Sequence, residues 1–89
     1  MTNEHMELVG KWLADNNSVT LEELKANLRA ARDEARTSYH DAAWIAAKAA
    51  SAALASGEAA RYAREAYADW AADEADHWVK RYEETTNDK

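Results

Sequence analysis

TLEELKANLRAARDEARTSYHDAAWIAAKAASAALAS, residues 20–56, is the stretch whose reading decides the fold. From Leu21 onward one face recurs at alternating steps of three and four: Leu21, Leu24, Leu28, Ala31, Ala35, Ser38, Ala42, Ile45, Ala49, Ala52, Ser56. Such spacing is a heptad seam, and no proline or glycine interrupts it, so the stretch reads as one long α-helix. Its side chains shrink from leucine to alanine, which brings a partner helix closer at the far end. Thr20 and Glu23 form a capping box, and Val19 and Leu24 the matching hydrophobic staple, so the helix start is fixed to about one residue. Ser38 with Asp41 is a second capping pair that would divide the helix near Thr37. The seam passes through Ser38 in phase, so continuity is the expectation.

Working outward, Glu4 to about Asp15 reads as a short amphipathic helix with Leu8, Val9, Trp12 and Leu13 on one face. A helix of that length does not persist alone, so it must dock, with Trp12 as its anchor. Asp15-Asn16-Asn17-Ser18 is a polar turn. Ser56-Gly57 is expected to end the long helix, since glycine suits the left-handed turn past a C-terminus. A last helix then covers about 58–84, with 85–89 as a polar tail. Its apolar face carries Ala59, Ala63, Ala66, Tyr67, Trp70, Ala71, Trp78 and Tyr82. Pairing outward from Gly57 sets Ala53 near Ala60, Ala46 near Tyr67 and Ala35 near Trp78. Trp12 is expected to meet Leu24, Leu28, Trp78 and Tyr82. The fold class is therefore all-α. A long antiparallel two-helix hairpin (helices about 21–56 and 58–84) carries the short N-terminal helix on one end, as a single helical domain over 1–89.

Composition agrees. Of 89 residues 22 are alanine, none is proline, and the two glycines are Gly10 and Gly57, so nothing reads as a strand. There is no cysteine, hence no disulfide or thiolate chemistry. The opening Met1-Thr2-Asn3-Glu4-His5 is polar and acidic, unlike a signal peptide, and charges interrupt the alanine run before it could span a membrane. A cytoplasmic protein is expected. A net charge of −6 argues against direct nucleic-acid binding, which usually shows a basic face.

Three features remain beyond the core. Ala43, Trp44, Ala47, Ala50, Ser51, Leu54 and Ala55 form a second apolar strip off the seam. A hairpin has too few elements to cover it, so Trp44, Ala47, Ser51 and Leu54 are candidate partner-binding residues. Glu65, Asp69, Asp73 and Asp76 form an acidic stripe, either a solvated face or a mimic of a phosphate backbone on a basic target. Glu74 interrupts the last helix's apolar face, opposite His40 and one turn from His77. Glu74-x-x-His77 has the spacing of di-metal carboxylate bundles, but a single motif would need a dimer to complete a site. A hydrogen bond or ion pair from Glu74 to His40, a tyrosine or an indole is the simpler expectation. No metal, cofactor or catalytic group is expected, because no nucleophile–base pair, phosphate loop or zinc spacing occurs.

Lys11-Trp12-Leu13-Ala14, Val19-Thr20-Leu21-Glu22-Glu23-Leu24 and the paired alanines from Ala30-Ala31 to Ala59-Ala60 resemble a loose group of alanine-rich small phage and bacterial proteins, some similar to immunity proteins. The resemblance implies a phage-type accessory protein that acts by binding, as a modulator or inhibitor of a host enzyme or defence complex, with no catalytic residues. A host protein or a second copy of the chain is the expected partner, a homodimer being at least as expected as a foreign complex. A self-associating structural role is the alternative. Thr20→Ala should cost roughly 1 kcal/mol by removing the acceptor of the capping box, read as a lower midpoint in thermal unfolding; an unchanged midpoint would place the helix start elsewhere.

Overall fold

A computed structural model describes residues 4–38 and 41–87 of the chain. The order is α1 (Glu4–Ala14), a 3₁₀ turn (Asn16–Ser18), α2 (Leu21–Ser38), α3 (Asp41–Arg61) and α4 (Glu65–Asn87), with no strand among the described residues. The chain is all-α, with four helices rather than a two-helix hairpin and a docked third.

The start of α2 follows its capping chemistry. The Glu23 amide donates to Thr20 Oγ1 at 3.1 Å, and the Thr20 amide donates to Glu23 Oε1 at 2.9 Å. That backbone hydrogen bond, helped by the Thr20 side chain, holds the exposed Glu23 carboxyl below its ordinary pKa. Val19 and Leu24 are both buried, as the staple requires. Before it, Asp15 accepts from the Asn17 amide at 3.0 Å, and the Ser18 hydroxyl donates to the Asp15 carbonyl at 2.7 Å, closing the turn.

The long helix does not continue. It ends at Ser38 and restarts at Asp41, and α2 packs back along α3. The physical reason lies in the second strip of α3. Kept straight, the helix would leave Ala43, Ala47 and Ala50 in water; folded back, all three are buried. Packed by α1, α2 and α4 together, α3 buries Ala43, Ile45, Ala46, Ala47, Ala49, Ala50, Ala53, Ser56 and Ala59, which lie almost all the way round its axis. A helix apolar on every side belongs in the middle.

Nor does Gly57 end a helix. It lies inside α3, where an added Cβ would sit 2.9 Å from Leu21 Cδ2 and 3.1 Å from Leu24 Cδ1. This glycine admits the start of α2 rather than a left-handed turn. The turn comes six residues later. The Arg64 amide reaches the Ala59 carbonyl at 2.8 Å and the Ala63 amide reaches that of Ala60 at 3.2 Å, the two bonds of a Schellman motif. Ala63 takes the left-handed position with φ of 60°.

Moving the turn shifts the whole α3–α4 register. Ser56, buried, donates from Oγ to the Ala68 carbonyl at 2.7 Å, and Lys48 reaches the Trp78 ring. The pairings of Ala53 with Ala60 and Ala46 with Tyr67 are therefore replaced. The face of α4 changes with them: Ala68, Ala71 and Ala75 are buried, whereas Tyr67 and Trp70 are exposed. Ala63 sits in the turn, Ala66 is exposed, and α4 runs past Glu84 to Asn87. Alanine against alanine lets α3 and α4 approach closely, which a row of indoles would prevent.

The N-terminal helix docks through Met6, Val9 and Trp12, with Leu8 and Leu13 half-buried, and packs against all three other helices. Trp12, 2% exposed, lies with Val19, Leu21 and Leu24 beside Gly57 and Ala60, at the open end of α3. A polar latch holds the other end. His5 Nδ1 lies 2.9 Å from Asn27 Oδ1 and Nε2 lies 3.0 Å from Glu34 Oε2, while the Asn27 amide donates to the His5 carbonyl at 3.2 Å.

Because Ala63 carries a Cβ at a left-handed position, Ala63→Gly should stabilise the protein by about 1 kcal/mol, seen as a raised thermal midpoint. A lower midpoint would show that the turn does not adopt this geometry in solution.

Candidate functional site

The outward ridge of α3 and one flank of α4 form the candidate site. On α3 the ridge is Trp44, Lys48 and Ser51 on successive turns of one face, Trp44 and Lys48 exposed and Ser51 half-buried. On α4 the flank carries Tyr67, Trp70, Glu74 and Trp78. Between them runs an open groove of about 340 Å³ lined by Lys48, Ser51, Ala55, Trp70, Glu74 and Trp78, among others. It continues past Ala55 and Tyr67 to Tyr62 and Arg64 at the turn. Trp44 is 47% exposed, Tyr67 49%, Trp70 56% and Tyr62 72%, so the seam is aromatic throughout its length.

Local contacts order these rings. Tyr67 and Trp70 stack with centroids 5.6 Å apart and planes at 28°. The Lys48 ammonium lies 5.5 Å from the Trp78 centroid, within cation–π range, and His77 meets the edge of Trp78 at 5.0 Å. Glu74 is half-buried in the groove and makes no hydrogen bond or ion pair among the described residues. His40, its expected partner, lies outside those residues. No three His, Asp or Glu side chains among the described residues come together as a metal site would require.

The proposed partner-binding residues are thus dispersed. Trp44 is exposed and Ser51 lines the groove. Ala47 is 5% exposed, covered within the monomer, and is not available to a partner. Leu54 is half-buried and faces the other way, beside Lys25, Leu28, Arg29, Arg32 and Arg36 of α2. Glu65, Asp69, Asp73 and Asp76 are all exposed on the flank of α4 away from the groove. Asp76 pairs with Lys80 at 3.0 Å, and its hydrogen bond raises the Lys80 ammonium above its ordinary pKa.

Sequence reasoning missed two features. Tyr67 and Trp70 were placed in the core because they are large and apolar; the signal against it is that Ala68, Ala71 and Ala75 offer a smaller face at helical spacing. The other is a basic stripe on α2, legible as Lys25, Arg29, Arg32 and Arg36 at steps of four, three and four.

No family model, curated protein or solved structure matches the chain.

Trp12→Ala should cost about 3–5 kcal/mol, as truncation of a buried aromatic does. Trp70→Ala, measured in dilute solution, should stay within about 0.5 kcal/mol of the parent, as exposed positions do. Comparable losses in denaturant unfolding would return Trp70 to the core.

Proposed function

We propose that the chain acts by stoichiometric protein binding rather than catalysis, through the ridge of α3 and the aromatic flank of α4. One observation carries the reading. Four large aromatic side chains, Trp44, Tyr62, Tyr67 and Trp70, stand exposed along one seam of a monomer whose core is complete without them. Interface centres are enriched in tryptophan and tyrosine, which bury large area at low entropic cost. The surrounding alanines and Ser51 leave the rings proud of a smooth floor, and Lys48 and Glu74 supply polar contacts at the groove edge. The resemblance to small phage and bacterial proteins makes a host enzyme or defence complex the foreign partner to look for. A second copy of the chain is the alternative occupant, favoured by the same seam.

Trp44→Ala tests the reading, because truncating an interface anchor commonly costs more than about 2 kcal/mol of binding. Helicity should be nearly unchanged, while apparent mass in light scattering falls or capture of a host partner is lost. A large loss of thermal stability at unchanged monomeric mass would assign Trp44 to the monomer's own core.

A further inference from the structure

The cations of α2 form a row that the monomer leaves unneutralised. Lys25, Arg29, Arg32 and Arg36 are exposed and line a shallow depression of about 310 Å³ over Leu28 and Leu54. None of the four is held in an ion pair among the described residues. The acids of α2 do not supply partners: Glu34 holds His5, Glu23 caps the helix, and Asp33 enters the depression without closing a pair. On α4, Glu65, Asp69, Asp73 and Asp76 form a row of the opposite sign, all exposed. Of these acids Asp76 alone is in an ion pair among the described residues, with the exposed Lys80 one turn on. Both helices pack on α3 and not on each other, so the two rows do not meet within one molecule.

We propose that the two rows meet between copies: the basic row of α2 receives the acidic row of α4 from a second copy of the chain. The match is one of number, length and spacing. Each row holds four charges over a length of about 16 Å at the helical rise. The cations follow steps of four, three and four residues, the acids steps of four, four and three. Laid parallel or antiparallel, three positions coincide and the fourth is displaced by one residue, about 1.5 Å, which a long side chain takes up. Three of the cations are arginines, whose guanidinium forks take carboxylate oxygens in pairs. Ala66 and Ala72 flank the acids on α4, so small side chains face the floor at Leu28 and Leu54. A foreign acidic segment would match the sign of the depression; the second copy matches its spacing as well.

The net charge of −6 sets copies against one another at a distance but not at this contact. At about 0.1 M salt charge is screened over about 10 Å, less than the shortest extent of the bundle, which measures 40 × 22 × 19 Å. The facing rows are then felt, and most of the remaining charge is not. Single exposed ion pairs contribute little, so the contact rests on four acting together and is weak and salt-sensitive. The two surfaces differ, so each copy offers both and the contact is heterologous. It uses neither Trp44 nor the aromatic groove, and is independent of the protein-binding reading above.

Light scattering on the full chain, at concentrations up to about 1 mM, tests the contact. Mean mass should exceed the monomer's at about 0.1 M salt and fall by about 1 M, where screening acts over about 3 Å. Trp44→Ala should leave that fall unchanged, since salt screens charge and does not weaken an apolar contact. Arg29→Glu with Arg32→Glu, and separately Asp69→Lys with Asp73→Lys, should each weaken association at least about tenfold at unchanged circular dichroism. Mixing the two variants should restore it, because the acidified α2 of one meets the basic α4 of the other, and their unaltered rows meet in turn. A mass that is monomeric at 0.1 M salt, a mass indifferent to salt, or a mixture no more associated than its parts would each overturn the proposal. So would association lost in the α2 variant yet kept in the α4 variant, which would assign the depression to a different occupant.

Discussion

Everything in this molecule depends on how closely α3 can be approached. Twelve of the buried hydrophobic residues among those described are alanine, most of them on α3 or directly against it. A buried methyl contributes only about 0.8 kcal/mol, so an alanine core is stabilised less by any one side chain than by contact along whole helices. That demands near contact of backbones, and two details provide it. Gly57 removes the one Cβ that would collide with the start of α2, and Ser56 spends its hydroxyl on a carbonyl of α4 instead of leaving it unsatisfied in the interface. The large side chains, Trp12, Leu24, Leu28 and Val9, then fill the space where the helices splay.

The same closeness explains the surface. When two helices approach on alanine, aromatic residues on the same helix must turn out of the contact. Tyr67 and Trp70 flank the Ala68, Ala71 and Ala75 row and are displaced to its solvent side. Trp44 is displaced likewise from α3, whose inner faces are taken by three neighbours. An aromatic seam is therefore a by-product of the core's geometry, and it leaves wide apolar surface on the outside of the bundle.

Much of this was legible in residues 20–24, where local chemistry acts alone. A hydroxyl, a carboxylate three residues on and two flanking apolar side chains fix the start of α2 whatever the rest of the chain does. The helical class was equally plain from the lack of proline and the three–four spacing. What sequence could not decide was whether the seam stays straight. The heptad phase is continuous through Ser38, and a local rule has no means of weighing that continuity against the apolar area on Ala43, Ala47 and Ala50 that only a fold-back covers. Gly57 misled for a related reason: a glycine serves a left-handed turn or a close approach, and the second use is visible only once Leu21 and Leu24 are known to lie against it. The error then propagated, because a turn misplaced by six residues inverts which face of α4 is buried. That is why Tyr67 and Trp70 are expected in the core and found outside it.

Charge shows the converse, a property that neither composition nor the turn error could reveal. On α2 the four cations occupy one narrow sector beside the packed face, and on α4 the four acids of Glu65, Asp69, Asp73 and Asp76 occupy another. Both helices pack on α3 and not on each other to any extent, so α3 holds the two sectors apart and neither neutralises the other. Folding α2 back lays those cations along α3, with Lys25, Arg29, Arg32 and Arg36 around Leu54. The break between Ser38 and Asp41 thus does two things with one change of direction. It buries the alanines that make α3 a central helix, and it gathers the cations of α2 around Leu54 on a protein whose overall charge is negative.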